Sequence, residues 1–332
     1  MAKIIRWGIM GTGMIAAKVT PLIAAAKDTQ VVAVGSRRLE SAQAFAAKLK
    51  IPRAHGSYEA LLADPEVDAI YLTLPNALHA EWTIKAAQAG KHILCEKPIA
   101  VTVEELDAMA AAAKKNGVIL MEAFMYRCHP ATMRIKQLVQ EGAIGKVRLV
   151  RATFCYNWYA LQNVRYSLPL MGGALMDVGC YCLNFARYIA GAEPIEAKAT
   201  ALIGPESHVD ETIGCTIKFP NDVLAILLAG MRNSTPSAAE VWGSEGQIVT
   251  TAPWFPDAKR TVFTVTKGKQ SYEEIVENGG NEYTLEAENM NACIRGEAKP
   301  IMPMEESRSN TGTLRKLLQS AGVIAQENQR RC

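Results

Sequence analysis

The segment IIRWGIMGTGMIAAK, residues 4–18, is the most informative part of the sequence for the fold of the first part of the chain. An apolar run typical of a short strand comes first, the pattern G-x-G-x-x-A follows at residues 11–16, and a stretch with helical periodicity comes next. A strand, a glycine-rich turn and a helix in this order form the setting in which the pattern binds a dinucleotide. Gly11 permits the tight turn, Gly13 lets the backbone approach a pyrophosphate at the helix N-terminus, and Ala16 allows close packing of the helix.

Strands and helices alternate from this motif to about residue 125. The predicted strands are 3–9, 30–35, 68–74, 91–95 and 118–123. The predicted helices are 13–26, 39–49, 58–63, 78–89 and 102–115. Such alternation indicates a parallel sheet with right-handed crossovers. We therefore expect an α/β Rossmann domain with a doubly wound parallel sheet over residues 1–125.

A different pattern runs from residue 126 to residue 332. Its predicted helices are 134–141, 173–189, 282–295 and 305–326. Its predicted strands are 147–157, 197–203, 212–219, 223–228, 239–243, 247–250 and 261–266. Successive strands with no helix between them indicate antiparallel pairing. We expect an α+β domain for substrate binding and oligomerisation, with a mostly antiparallel open β-sheet and helices on one face. The final helix, 305–326, is the element that we expect to be able to pack back on the first domain.

Composition excludes several classes of protein. The 332 residues carry a net charge of +3, with 49% hydrophobic and 21% charged residues. This balance argues against a nucleic-acid binder, which needs a strongly basic face, and against disorder. We find no apolar run of the roughly 18 residues that a membrane helix needs. The glycines near the N-terminus interrupt any secretory signal, and the eight cysteines form no C-x-x-C pattern. We expect a cytoplasmic protein with reduced thiols and no metal site.

The end of the second predicted strand bears on the choice of cofactor. NAD-preferring sites place an acidic residue about 20 residues after the glycines, where it binds the ribose 2′-hydroxyl. This chain has Ser36, Arg37 and Arg38 there. A carboxylate would repel a 2′-phosphate, whereas a hydroxyl and a guanidinium can bind one. The alternative is that the arginines only form a solvated helix start. We predict NADP(H) as the cofactor.

Three further segments carry chemistry. The first, 74–79, follows a predicted parallel strand, and the second, 95–98, follows the next strand. Ligands bind at the carboxyl edge of such sheets. The third segment, 172–181, opens a helix of the second domain, where Asp177 and Tyr181 are four residues apart and share one helix face.

Taken together, these motifs resemble the glucose–fructose oxidoreductase/inositol dehydrogenase (Gfo/Idh/MocA) family. The resemblance extends from residue 4 to about residue 190. Its motifs are the glycine pattern, Pro75-Asn76-x-x-His79, Gly90-Lys91-His92-x-x-x-Glu96-Lys97-Pro98 and Gly172-Gly173-x-Leu175-x-Asp177-x-Gly179-x-Tyr181. Many members have His and Asp where this chain has Tyr181 and Asn184. This departure resembles the branch that contains dimeric dihydrodiol dehydrogenases, NADP-dependent D-xylose dehydrogenases and glucose–fructose oxidoreductase itself.

The resemblance implies that Lys97 and Tyr181 are the catalytic pair and that Asp177 and His79 line the substrate site. Together with the residue patterns, it gives the following set of predicted site residues. The predicted catalytic residues are Lys97, Tyr181 and Asp177. The predicted substrate-binding residues are His79, Asn184, Trp158 and Arg165. The predicted cofactor-binding residues are Gly11, Gly13, Met14, Ile15, Ser36, Arg37, Arg38, Leu74, Pro75, Asn76, His79, Glu96 and Lys97. For Tyr181, Asp177 and His79 the alternatives are a buried core tyrosine, a helix-start carboxylate and a structural histidine.

Proton transfer by a tyrosine is physically reasonable beside a lysine. A free tyrosine has a pKa of about 10 and is a poor base at neutral pH. An ammonium about 4 Å away stabilises a tyrosinate by about 4 kcal/mol at an effective dielectric of about 20. That energy corresponds to about three pKa units, and desolvation opposes it. Either Tyr181 or Lys97 accepts the proton, and the sequence leaves both open.

We therefore expect an NADP(H)-dependent oxidoreductase that transfers a hydride between the nicotinamide and a pyranose sugar or cyclic polyol, as an aldose 1-dehydrogenase or sugar reductase. The alternatives are a trans-dihydrodiol dehydrogenase, an enzyme whose tightly bound cofactor cycles between two sugars, and a non-enzymatic NADP-sensing regulator. The apolar strand 223–228 leaves a sheet face to cover, so we expect a homodimer or homotetramer through the C-terminal sheet.

Overall fold

The computed structural model describes residues 3–325, and two compact units are present there. The first unit extends to Cys128 and also contains Asn281–Arg308. The second unit contains His129–Gly280 and, among the described residues, 309–325. Each unit has its own sheet.

The strands and helices are named in chain order. The strands are β1 (Ile5–Met10), β2 (Thr29–Gly35), β3 (Arg53–His55), β4 (Ala69–Leu72), β5 (His92–Glu96), β6 (Leu120–Ala123), β7 (Val147–Cys155), β8 (Glu196–Ile203), β9 (Asp210–Lys218), β10 (Leu224–Gly230), β11 (Ala238–Gly243), β12 (Gly246–Thr250), β13 (Arg260–Lys267) and β14 (Gln270–Glu277). The α-helices are α1 (Met14–Ala24), α2 (Leu39–Leu49), α3 (Tyr58–Leu62), α4 (His79–Gln88), α5 (Val103–Lys115), α6 (Pro130–Gln140), α7 (Cys180–Ala190), α8 (Glu282–Ile294) and α9 (Met304–Ser320). A π-helical segment, Leu175–Gly179, leads into α7.

The sheet of the first unit is parallel, with strand order β3-β2-β1-β4-β5-β6. The strands alternate with helices because each buried strand is followed by an amphipathic segment; in α1, for example, Ala16, Val19 and Ile23 are buried at helical spacing. The strand order reverses between β1 and β4, and sheets of this kind bind ligands at the carboxyl ends of the strands at such a point. The predicted Rossmann sheet is confirmed, and β3 is a strand that the sequence analysis missed.

The sheet of the second unit has eight strands in the order β14-β13-β12-β11-β7-β10-β9-β8. All neighbouring pairs are antiparallel except β7 and β10, which are parallel. Helix α7 packs against β7 and β10 on one face. Along β9, Ile213, Cys215 and Ile217 are buried and alternate with exposed residues, as in a sheet with only one covered face. The predicted mostly antiparallel sheet is confirmed, and β14 was not predicted.

Helix α8 belongs to the first unit, whereas the sequence analysis assigned residues 126–332 to one domain. The physical reason is a set of buried polar contacts. Asn291 accepts a hydrogen bond from Trp7 Nε1 at 3.1 Å and donates one to Thr29 Oγ1 at 2.6 Å. These partners are far apart in sequence, so no local pattern reports them.

The border between the units falls within α9, after Arg308. Arg308 pairs with Asp107 of the first unit, and Ser320 accepts a hydrogen bond from the Ala199 amide of the second. The packing of 305–326 on the first domain stays a prediction, and Gln326 lies outside the described residues.

One apolar stretch of the second unit is long enough to span a membrane. Residues Leu168–Ala190 are long and apolar enough to cross a membrane by length and composition, with a mean hydropathy of 1.2. This stretch contradicts the expectation that no apolar run reaches the length of a membrane helix. However, 72% of the most apolar window is buried inside the protein, which is typical of a core helix.

The described cysteines are all buried thiols: Cys95, Cys128, Cys155, Cys180, Cys182, Cys215 and Cys293. Within residues 3–325, no group of three or more His, Cys, Asp or Glu side chains lies close enough to hold a metal ion.

Candidate active site

The glycine-rich turn follows β1 at the carboxyl edge of the parallel sheet. Gly11 has a φ of +111°, a backbone conformation that residues other than glycine rarely adopt. A Cβ atom at this position would also lie only 2.6 Å from Thr73 Oγ1. Gly13 is exposed, and a Cβ atom added to it would meet nothing within 4 Å. The first glycine is thus required by the backbone, and the second leaves open space beside the helix start.

Helix α1 begins directly after this open space. Its N-cap, Gly13, supplies no side-chain cap, and the first turn contains no acidic residue. The first amides of a helix carry a partial positive charge and bind anions well. Met14 is exposed and Ile15 is half-buried at the same place. These residues fit the pyrophosphate of a dinucleotide.

The polar residues after β2 lie where the sequence analysis expected a 2′-phosphate contact. Ser36 is nearly buried, and its amide donates a hydrogen bond to the His55 carbonyl at 3.1 Å. Arg37 and Arg38 are exposed immediately before α2. Burial raises the pKa of the Tyr58 phenol, and a hydrogen bond with Arg37 opposes the rise. This corner thus carries two exposed arginines, and that of position 37 also contacts the Tyr58 phenol.

Residues 74–76 follow β4. Thr73, which the sequence analysis missed, donates from its hydroxyl and its amide to the Met10 carbonyl at 2.9 and 3.0 Å and so ties this segment to β1. Leu74 is buried, Pro75 is half-buried, and Asn76 begins a short 3-10 turn. The segment lies on the same sheet edge as the glycine-rich turn, because β4 is the neighbour of β1.

The His79 ring is fully buried, and backbone oxygens face both of its nitrogens. Nδ1 lies 3.0 Å from the Pro98 carbonyl oxygen, and Nε2 lies 2.8 Å from that of Leu74. Burial lowers the pKa of this histidine, while these carbonyls oppose the change. The ring thus links the segment after β4 to the segment after β5. Contact of His79 with a substrate or cofactor stays a prediction, and the geometry favours a positioning role.

Lys97 directly follows β5 and is half-buried. Its amide donates to Glu96 Oε2 at 3.3 Å. Glu96 is nearly buried and also accepts a hydrogen bond from the Tyr71 hydroxyl. Burial and the Glu96 charge hold the pKa of Tyr71 well above its usual value, so Tyr71 stays a donor. The Lys97 backbone is therefore fixed by a buried Tyr–Glu pair.

Asp177 lies in the π-helical segment of the second unit. Its Oδ2 accepts hydrogen bonds from Tyr156 Oη at 2.6 Å and from Arg165 Nε at 2.9 Å. Burial and the Asp177 charge raise the pKa of Tyr156, so Tyr156 stays a donor. The Arg165 guanidinium also lies over the Trp158 ring, 5.9 Å from its centroid. The structure thus brings together Asp177, Arg165 and Trp158, and it adds Tyr156.

Tyr181 opens α7 one turn after Asp177. Its ring centroid is 5.4 Å from that of Phe154 and 5.8 Å from that of Trp254. Phe154 and Tyr156 are two residues apart, so they project from the same side of the strand toward Tyr181 and Asp177. Asn184 follows on α7 and is fully buried. Tyr181 and Asp177 thus contact two neighbouring aromatic residues, Phe154 and Tyr156.

Two family models match the chain. One, an oxidoreductase family with an NAD-binding Rossmann fold (GFO_IDH_MocA), matches residues 5–124, and the other, the GFO/IDH/MocA C-terminal domain, matches residues 132–249. Fold and site define an oxidoreductase with an NAD-binding Rossmann domain. The chain belongs to the Gfo/Idh/MocA family, which confirms the resemblance found in the sequence.

Individual relatives cover nearly the whole chain. A trans-1,2-dihydrobenzene-1,2-diol dehydrogenase of Xenopus laevis is 33% identical over 96% of this chain and 98% of its own. A D-xylose 1-dehydrogenase (NADP(+)) of Haloferax volcanii is 33% identical over 95% of this chain and 97% of its own. The crystal structure of KijD10, a 3-ketoreductase from Actinomadura kijaniata in complex with NADP and TDP-benzene, superposes with a TM-score of 0.89 at 28% identity, covering 95% of this chain and 97% of that one.

Proposed function

We propose that this protein is an NADP(H)-dependent oxidoreductase that transfers a hydride between the nicotinamide and a secondary or hemiacetal hydroxyl of a pyranose sugar or cyclic polyol. The observation that carries the proposal is the arrangement on the π-helical segment and α7. Asp177 is held there by Tyr156 and Arg165, and the Tyr181 phenol follows one turn later. The relatives named above act on a xylose, a diol or a ketone.

NADP(H) binding is supported by the first unit. The pyrophosphate would lie at Gly11 and Gly13, and the 2′-phosphate would contact Ser36 and Arg37. One relative is NADP-dependent by name, and KijD10 was crystallised with NADP. Residues 74–76 and 96–97 are proposed to contact the cofactor farther along the sheet edge.

Residues of this chain carry out the proton transfer of the reaction. When bound, the nicotinamide supplies the hydride acceptor or donor. Tyr181 takes the hydroxyl proton during oxidation and returns it during reduction, and the Lys97 ammonium stabilises the tyrosinate. Direct transfer to Lys97 is the second route. Asp177 accepts a hydrogen bond from a substrate hydroxyl and so orients it.

Two substrate classes are supported by different features of the second unit. The Asp177–Arg165 pair offers hydrogen-bond partners to a polyhydroxylated ring. The aromatic rings of Phe154 and Phe255, whose centroids are 6.0 Å apart, favour a more apolar ring, as in a trans-dihydrodiol. We favour the sugar or cyclic polyol and keep the dihydrodiol as the second candidate.

A turnover assay separates these possibilities. Purified protein is mixed with NADP⁺ and a panel of aldoses, cyclic polyols and trans-dihydrodiols, and formation of reduced nicotinamide is followed by absorbance. We expect reduction with at least one sugar or polyol. Reduction only with dihydrodiols would favour the second candidate. Tight NADP binding without turnover on the panel would contradict the proposed function and favour an NADP-sensing regulator.

We also propose that the protein is a homodimer or homotetramer formed through the outer face of the eight-stranded sheet. A row of neighbouring residues on this face, Leu224, Leu149 and Trp242, is apolar, and Leu224 and Trp242 are 52% and 44% exposed. Apolar surfaces of this kind usually pair with a partner. The Arg151–Glu240 ion pair lies in the next row, beside Ile226. A second copy of the chain can cover this face.

A cytoplasmic location is proposed on the state of the cysteines. The described thiols are buried and reduced. Proteins of oxidising compartments more often use such residues in disulfides.

A further inference from the structure

We propose that Asp210 is a positioning residue for the reaction: its buried carboxylate anchors the turn at Gly172 and Gly173 from which Arg165 and Asp177 are held together. This inference rests on the proposed function, because it concerns the orientation of Asp177. Asp210 begins β9 and was not a candidate in the sequence analysis.

The first contact is a direct hydrogen bond to the segment that bears Asp177. Asp210 is fully buried, and its Oδ2 accepts a hydrogen bond from the Leu175 amide at 2.7 Å. Leu175 is the first residue of the π-helical segment, and Asp177 lies two residues later. The carboxylate thus fixes the start of that segment.

The second contact explains the two glycines. Asp210 Oδ1 is buried without a hydrogen-bond partner and lies where a Cβ atom of Gly173 would be. A Cβ atom of Gly172 would collide with the Arg165 carbonyl. Side chains are therefore excluded at both positions, and Asp210 lies against the bare backbone of Gly173.

The turn connects both partners of the ion pair. The Gly173 amide donates to the Arg165 carbonyl at 2.8 Å, and the Asp177 amide donates to the Gly173 carbonyl at 2.9 Å. The side chains close the ring, since Arg165 Nε donates to Asp177 Oδ2 at 2.9 Å. Asp210 packs against this closed set of contacts at Gly173 and accepts a hydrogen bond from the Leu175 amide. Moving the turn would therefore displace Arg165 and Asp177 relative to each other.

The electrostatic state of Asp210 agrees with such a role. Burial raises its pKa to about 7, and the Leu175 amide opposes the rise. A carboxyl kept in a buried position with a perturbed pKa is more common at functional sites than in ordinary cores.

The test compares three variants with the wild type. Asp210→Ala removes the acceptor, and we expect kcat to fall at least tenfold while NADPH affinity stays unchanged, because the proposed cofactor residues lie in the other unit. Asp210→Asn keeps an acceptor oxygen for the Leu175 amide, and we expect kcat within about threefold of wild type. The control, Ile217→Ala, creates a cavity on the same strand. It should lower the melting temperature without changing kcat.

A second readout does not depend on activity. Hydrogen exchange of a peptide covering residues 174–179, followed by mass spectrometry, should be faster in Asp210→Ala and near wild type in Asp210→Asn. If the wild type has no turnover on the substrate panel, the proposed function and the role in catalysis both fail. The exchange result then still decides whether the anchor exists, and unchanged exchange in Asp210→Ala would overturn it.

Three activity results would contradict the proposal. Wild-type kcat and KM in Asp210→Ala would show that the anchor does not position Asp177. An equal loss in Asp210→Asn and Asp210→Ala would show that the amide acceptor is not what matters. An equal loss of kcat in Ile217→Ala would show that general destabilisation explains the loss of kcat in Asp210→Ala.

A double-mutant cycle with Gly173→Ala tests the second contact. The added methyl group would strain the backbone at a φ of +107° and collide with Asp210 Oδ1. In the Asp210→Ala background the collision is absent, so Gly173→Ala should reduce kcat by a smaller factor than it does in the wild type. Equal factors in both backgrounds would contradict the close approach.

Discussion

Tyr181 lies against Phe154 and Trp254, and its replacement by phenylalanine removes one oxygen while the ring contacts remain. If the phenol transfers the proton, Tyr181→Phe should lower turnover at least tenfold and leave NADPH affinity and melting temperature near wild type. Steady-state kinetics and a fluorescence titration of NADPH measure both quantities.

Tyr188→Phe is the matched control on the same helix, since Tyr188 packs beneath Lys136. It should retain wild-type turnover. Unchanged turnover in Tyr181→Phe would remove this residue from the mechanism.

The residue at position 36, a serine, is expected to set the preference for NADP⁺ over NAD⁺. A carboxylate at this position would repel a 2′-phosphate and accept a hydrogen bond from a ribose 2′-hydroxyl. Ser36→Asp should therefore raise the Kd for NADP⁺ at least tenfold and not weaken NAD⁺ binding, as measured by calorimetric titration. Gln43→Glu, on the exposed side of α2, adds the same charge and should leave both affinities unchanged. Equal binding of NAD⁺ and NADP⁺ by the wild type would refute the preference.

At residue scale the motifs were visible because each is local. Gly11 and Gly13 follow a strand directly, and Asp177 and Tyr181 are four residues apart, so spacing alone predicted their placement. Thr73 and Tyr156 were missed as partners because their contacts join residues on different elements. The one available signal was the spacing of Phe154 and Tyr156, because residues two apart on a strand lie on the same face.

At the scale of elements, α8 brings a buried carboxyl into the first unit. Glu286 is almost fully buried, and burial, followed by the charges of Glu96 and Glu282, holds its pKa well above the usual value. The folded state therefore keeps a proton that the unfolded chain releases above a pH of about 4.5. The free energy of unfolding therefore falls as the pH rises above about 4.5. Glu286 contributes up to about 1.4 kcal/mol per pH unit to this fall, until the pH reaches its pKa in the folded protein.

Glu286→Gln removes this dependence, since the amide stays neutral. The variant should gain unfolding free energy relative to wild type between pH 5 and pH 8, as measured by urea denaturation at several pH values. Glu288→Gln, on the same helix, should follow the wild-type curve. Parallel curves for Glu286→Gln and wild type would show that Glu286 is ionised in the folded protein.

The sequence predicted one helix over 173–189, but it did not predict the change of helix type within that range. The structure has a π-helical segment, Leu175–Gly179, before α7. A Cβ atom at Gly179 would come within 3.1 Å of Ala229 on β10, so this widened turn packs directly on the sheet. Its form depends on that tertiary contact, and helical periodicity alone cannot distinguish it from an α-helical turn.

For the whole molecule, the order of strands and helices along the chain predicted both the parallel sheet and the mostly antiparallel sheet. It did not predict that α8, which follows the second sheet in sequence, belongs to the first unit. Asn291 bonds to Trp7 and Thr29 across more than 260 residues, and no spacing rule reports such a pair.

The proposed assembly is tested at the same scale. Leu224→Glu places a charge in the apolar row of the outer sheet face, where Leu224 is 52% exposed. Burying that charge at an interface is unfavourable, so the variant should sediment as a monomer or shift its dissociation constant at least tenfold. Ile4→Glu changes a residue of similar exposure, 55%, in the first unit and should leave the oligomer intact. A wild-type protein that is monomeric at all concentrations would contradict the assembly.

We propose that Tyr181, assisted by Lys97, transfers the hydroxyl proton of the substrate. A crystal structure of the wild-type protein with NADP⁺ measures this most directly, through the distance between Lys97 Nζ and Tyr181 Oη beside the nicotinamide ring. We predict hydrogen-bond contact of about 3 Å, or a separation bridged by one water. The two groups on opposite sides of the nicotinamide, or separated by more than a water-bridged distance, would contradict the mechanism.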